Sequence, residues 1–109
     1  MSAICTRTRL NAKPGRYEVA VSSTDSNVTV HGFHAVNGTI IERWEHSDLY
    51  NKAVPIEVNA DEKHGIDIIA TLFSETTVTV SLSLNGQALG RSCILKPDGP
   101  TSAAIGIVA

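Results

Sequence analysis

Apolar and polar residues alternate along much of this chain, most clearly between Gly65 and Arg91. Val78, Val80, Leu82 and Leu84 interleave with Thr79, Ser81, Ser83 and Asn85. A period of two with β-branched residues predicts a strand with one apolar face, and Asn85-Gly86 is the tight-turn pair that ends it. The run before it, 66–73, is apolar on both faces. Ile66, Ile68, Ala70 and Leu72 fall on one side, while Ile69 and Phe73 sit beside Asp67 and Thr71 on the other. Such a strand is expected at the centre of a sheet, its second face covered by a loop or by another chain.

Joined as a hairpin through Glu75-Thr76-Thr77, the two strands would set Leu72 near Val80 and Ala70 near Leu82. Ile69, Thr71, Phe73, Thr79, Ser81 and Ser83 would then share one outward face with Asp67. A one-residue slip would invert every side chain, so the hairpin register is the assumption on which this face rests. The alternative places the two strands in different sheets, as at a sandwich corner. No charged residue occurs from Thr76 to Gly90. An uncharged strand at an open edge invites association, so 78–85 is expected to be central or paired across a subunit interface.

The same period recurs along the chain. Ile4 to Leu10 reads as a first strand with arginines outward. Lys13-Pro14-Gly15 is a turn signal, and Tyr17, Val19 and Val21 form a second strand. The spacing Pro14-Gly15-x-Tyr17-x-Val19-x-Val21 resembles a strand entry common in immunoglobulin-like sandwich modules, over less than a tenth of the chain. Val28 to Phe33 and Thr39 to Glu45 read as a hairpin about Asn37-Gly38, with Ile40, Glu42 and Trp44 on one face and Ile41 and Arg43 on the other. A short helical turn is expected within 46–53. Strands follow at Val54 to Val58 and Ser92 to Lys96, and Ala103 to Val108 should pair as the last. Turns every 8–12 residues, with no defensible helical window, predict an all-β antiparallel sandwich, immunoglobulin-like or jelly-roll-like, of 7–9 strands in one domain spanning residues 1–109.

Composition narrows the function classes. At 42% hydrophobic and 18% charged residues the 109-residue chain can bury a core without staples. A net charge of −2 gives no field to collect nucleic acid. No run approaches the ~20 apolar residues of a membrane helix, so no membrane insertion is expected. The N-terminus lacks a signal-type apolar segment, which by default suggests a cytoplasmic product. Cys5 and Cys93 are then expected to be reduced thiols, a bridge between first and late strands being the alternative.

Chemistry-bearing constellations are sparse. The four histidines fall between residues 31 and 64. His31 and His34 would lie on opposite strand faces unless Gly32 bulges, which makes them a poor ligand pair, and all four are expected at the surface or in turns. His46, Ser47 and Asp48 are too close in sequence to converge as a triad. No phosphate loop, zinc-binding helix motif or nucleophile elbow is present, and Asn27 and Asn37 stand in chance glycosylation sequons. Trp44, His46, Asp48, Tyr50 and Asn51 form an aromatic-polar cluster that could stack on a glycan or peptide, or else supply Trp44 to the core. The sequence therefore points to a non-enzymatic interaction or assembly module without metal or cofactor, self-associating as a homo-oligomer through its uncharged sheet face. The second possibility is a carbohydrate- or peptide-binding module using the 44–51 loop.

Overall fold

A computed structural model of the chain describes residues 8–11, 13–25, 27–84, 87–99 and 101–109. They form two packed sheets built from nine strands: β1 (Thr8–Asn11), β2 (Gly15–Ser23), β3 (Thr29–Val36), β4 (Thr39–Trp44), β5 (Val54–Val58), β6 (Lys63–Thr71), β7 (Thr76–Leu84), β8 (Gln87–Leu95) and β9 (Ser102–Val108). A single-turn helix, α1 (His46–Leu49), links β4 to β5. The first sheet runs β1-β9-β6-β3-β4 and the second β5-β2-β7-β8. All pairings are antiparallel except β1 with β9. This is an all-β sandwich, and its strand number falls in the expected range.

β2, β3, β5, β6, β7 and β9 bury alternate residues over most of their length, and the two apolar faces meet across one core. Ile66, Ile68, Ala70, Ala103, Ile105 and Ile107 line the five-stranded side; Tyr17, Val19, Val21, Val78, Val80 and Leu82 line the other. Tyr17 carries its hydroxyl out of this core to donate to the Lys13 carbonyl at 2.6 Å, fixing the chain's entry into β2. Asn37 and Gly38 have φ of 50° and 87°, the left-handed pair that a two-residue hairpin between β3 and β4 requires.

The structure corrects the expected hairpin between 66–73 and 76–84. β6 lies between β9 and β3 in one sheet, and β7 lies between β2 and β8 in the other. Residues 72–75 cross between the layers. The expected inward residues are correct for both strands, but Ile66, Ile68 and Ala70 face Val78, Val80 and Leu82 across the core. Period-two alternation is satisfied equally well by neighbours in a sheet and by opposed sheets, and the link carries no tight-turn pair that would force the former. β7 is central, which is how its uncharged length avoids an open edge.

A second correction concerns β4. The β3–β4 register shifts between His34 and Ala35, so that Phe33 faces Arg43 while Ala35 faces Ile40. The extra residue, Ile41, turns Ile40 onto the same outer face as Phe33 and Arg43, not onto the Trp44 face. A third concerns the cysteines: Cys93 is fully buried and disulfide-bonded, against the expectation of free thiols. The chain's only other cysteine, Cys5, lies outside the described residues, as do the turn residues Asn85 and Gly86.

Candidate functional site

The aromatic-polar loop is largely committed to holding the fold. Trp44 is 3% exposed and belongs to the core. It lies over Gly32, where a Cβ would come within 2.8 Å of the indole. His46 Nδ1 accepts the Val30 N–H at 3.1 Å, and its ring stacks on Tyr50 with centroids 4.5 Å apart. Asp48 Oδ2 accepts the Glu45 N–H at 2.8 Å at the start of α1. The Tyr50 hydroxyl lies 2.7 Å from Ser23 Oγ. Asn51 has φ of 56° and donates its backbone N–H to the Val21 carbonyl at 2.8 Å. Trp44 thus faces the core, whereas Asp48 and Asn51 are exposed.

The six residues expected on one association face are divided. Ile69 and Thr71 project from the outer face of the five-stranded sheet. Thr79, Ser81 and Ser83 project from the outer face of the other sheet, on the opposite side of the molecule. Phe73 sits in the crossing segment and is 82% exposed. The single face proposed from sequence therefore does not exist, because the hairpin that would have built it does not form.

Ile69 instead joins residues from other strands. Phe33, Ile40, Asp67, Ile69, Thr101 and Ser102 line a trough of about 410 Å³ on the outer face of the five-stranded sheet. Three strands supply its walls: Phe33 from β3, Ile40 from β4, and Asp67 and Ile69 from β6. Thr101 and Ser102 close it at the start of β9. Ile40 and Ile69 are half exposed, which is unusual for isoleucine on a strand face. The Arg43 guanidinium lies 5.4 Å from the centre of the Phe33 ring. Asp67 is the carboxylate of the trough lining, and small residues (Ala35, Gly65, Ala104 and Gly106) make the neighbouring positions shallow. Sequence reasoning missed Phe33 and Ile40. Phe33 could have been found from its parity with His31 in β3; Ile40 was hidden by the bulge.

A second group escaped the sequence reading altogether. His34 and His64 are buried, not at the surface as expected. His64 Nε2 lies 3.0 Å from Glu62 Oε1, and His64 Nδ1 lies 2.8 Å from His34 Nε2. The ionised carboxylate can only accept, so His64 donates through Nε2; with a neutral ring it accepts the His34 Nε2–H at Nδ1. This leaves His34 Nδ1 buried with no hydrogen-bond partner. Burial lowers the His34 pKa, and the neighbouring His64 lowers it further. The Glu62 carboxyl is also lowered, first by the Asn59 backbone N–H that it accepts and then by His64. His31 does lie on the opposite face, exposed and 3.2 Å from Glu45. Among the described residues no group of three or more histidine, cysteine or carboxylate side chains is placed to hold a metal, and no helix is long and apolar enough to cross a membrane.

Compared with known protein families, curated proteins and solved structures, the chain matches none. Its class is given by its own fold and surface: a two-sheet all-β sandwich with an apolar trough on one outer face.

Proposed function

We propose that this protein is a non-enzymatic interaction module that self-associates through the outer face of its five-stranded sheet. One observation carries the reading. Ile40 and Ile69 stand half exposed around Phe33 on a strand face, over a trough of about 410 Å³. Exposed apolar groups gathered in one place, with few charges among them, have the make-up of an interface core. The uncharged face proposed from β7 does not contribute, since Thr79, Ser81 and Ser83 lie on the other side.

Binding of a glycan or peptide at residues 44–51 is the weaker reading, because Trp44 is buried in the core and His46, Asp48 and Tyr50 already have hydrogen-bond or ring partners within the fold. The disulfide at Cys93 supports placing the module in an oxidising compartment, in contrast to the cytoplasmic default.

Sedimentation over a micromolar concentration series tests the proposal. The parent chain is expected to gain mass with concentration, and Ile69→Lys to remain a monomer with an unchanged sheet spectrum. A parent that stays monomeric throughout overturns it.

A further inference from the structure

Resting on that reading, the pattern of charge and relief on the trough face identifies the partner's orientation. The strand register arranges the face as a grid. Arg43, Phe33 and Asp67 lie side by side on β4, β3 and β6. Arg43 and Asp67 therefore flank Phe33 at two strand spacings, roughly 10 Å apart. Among the described residues neither has an ion-pair partner within the chain. The next row along the strands is Ile40, Ala35 and Gly65. It is uneven: Ile40 is 51% exposed, whereas a Cβ built on Gly65 would meet nothing within 4 Å. In this row the face rises on the β4 side and sinks on the β6 side, and in the Phe33 row the charge runs from positive to negative in the same direction.

We propose that two copies pack face to face through this sheet, about a two-fold axis running along β3 at Phe33. Rotation about that axis exchanges the β4 and β6 sides and keeps position along the strands. It sets Arg43 of each copy over Asp67 of the other, and Phe33 against Phe33. It also drops Ile40 of each copy into the hollow above Gly65 of the other. An isologous contact repeats every interaction, so the cation–anion pair is made twice. An in-plane axis across the strands would instead set Arg43 on Arg43 and Asp67 on Asp67, which like-charge repulsion disfavours. The row on the far side of Phe33 holds His31, paired with Glu45, beside the exposed Ile69, so the same rotation sets Ile69 of each copy towards the His31–Glu45 pair of the other.

The face is small. Five strands about 4.8 Å apart and some seven residues long span roughly 24 by 23 Å. Such an area lies at the low end of specific interfaces, so the dimer is expected to be micromolar and transient.

Charge exchange tests the axis separately from the association. Arg43→Glu sets a carboxylate opposite the Asp67 carboxylate, and Asp67→Arg sets a guanidinium opposite that of Arg43. Each variant alone should weaken the dimer by about tenfold or more. An equimolar mixture restores opposite charges at both positions and should sediment as a heterodimer of near-parent affinity. Gly65→Val, at a position with room for a side chain, should keep the fold and weaken the dimer by filling the hollow. If the parent dimerises and Ile69→Lys abolishes it, yet neither charge variant weakens it or the mixture fails to recover, the axis is wrong and self-association through this face stands. If the parent does not associate, both fall.

Discussion

His34 is the residue whose chemistry departs furthest from its surroundings. It is buried and hydrogen-bonded edge to edge with His64 through Nε2, and its ring lies nearly parallel to that of Trp44 at a centroid distance of 5.7 Å. Its pKa is lowered in the fold, so the unfolded chain binds the proton more readily. The stability tied to neutral His34 is therefore present above its unfolded value of about 6.5 and is lost as pH falls below it. Glu62, whose pKa is also lowered, adds a loss of the same sign at more acid pH. Urea titrations should show the midpoint falling from pH 7 to pH 5, with a shallower fall in His34→Phe. A midpoint that rises on acidification would refute this assignment. Two other residues give sharper stability tests. Trp44→Ala, a truncation in the core, should cost about 3–5 kcal/mol in chemical denaturation. Thr76 buries its hydroxyl without a partner, so Thr76→Val should raise stability by about 1 kcal/mol. None of this polar chemistry was legible in the sequence, because His34 and His64 are brought together by strands whose register depends on the whole fold.

At the scale of elements, the inward and outward faces of β2, β6 and β7 were legible, and so was the β3–β4 hairpin. Alternation reports which side chains point together, and Asn37-Gly38 accepts a backbone that few other pairs adopt. Gly38→Ala should cost about 1 kcal/mol, since φ of 87° strains any residue with a Cβ. Thermal unfolding checks this, and an unchanged midpoint would argue against the turn as described. Sheet membership was not legible. The same Val78, Val80 and Leu82 can lie beside Ile66 and Ile68 or opposite them without changing a single residue of the pattern. The bulge at Ile41 was equally invisible, although it decides the site by bringing Ile40 onto the Phe33 face. It also interrupts the β4 edge, and Glu42 and Arg43 follow it, so that edge is poorly suited to strand addition. The proposed association therefore uses the face of the sheet and not this rim.

Across the whole molecule, the two outer faces differ. The four-stranded sheet presents Thr79, Ser81 and Ser83, small hydroxyl groups, on its outer face. The five-stranded sheet presents Phe33, Ile40 and Ile69 around a trough, with Arg43 and Asp67 on either side of Phe33. Cys93 lies on β8, an edge strand, and its disulfide constrains the unfolded chain over a long loop if Cys5 completes it. Thiol reagent added to the denatured, unreduced chain should find no reactive group. Reduction should lower stability by about 2–5 kcal/mol. Two equivalents of reaction would return both cysteines to free thiols and remove the support for an oxidising compartment.

The difference between the two faces is the central claim, and isoleucine methyl groups report on it directly. Ile40 and Ile69 lie on the trough face, while Ile94 on β8 lies in the other sheet. In a methyl NMR dilution series through the micromolar range, Ile40 and Ile69 should shift together with the rise in sedimenting mass, and Ile94 should stay in place. Methyl positions that do not change with concentration, or a shift confined to Ile94, would contradict self-association through the five-stranded sheet.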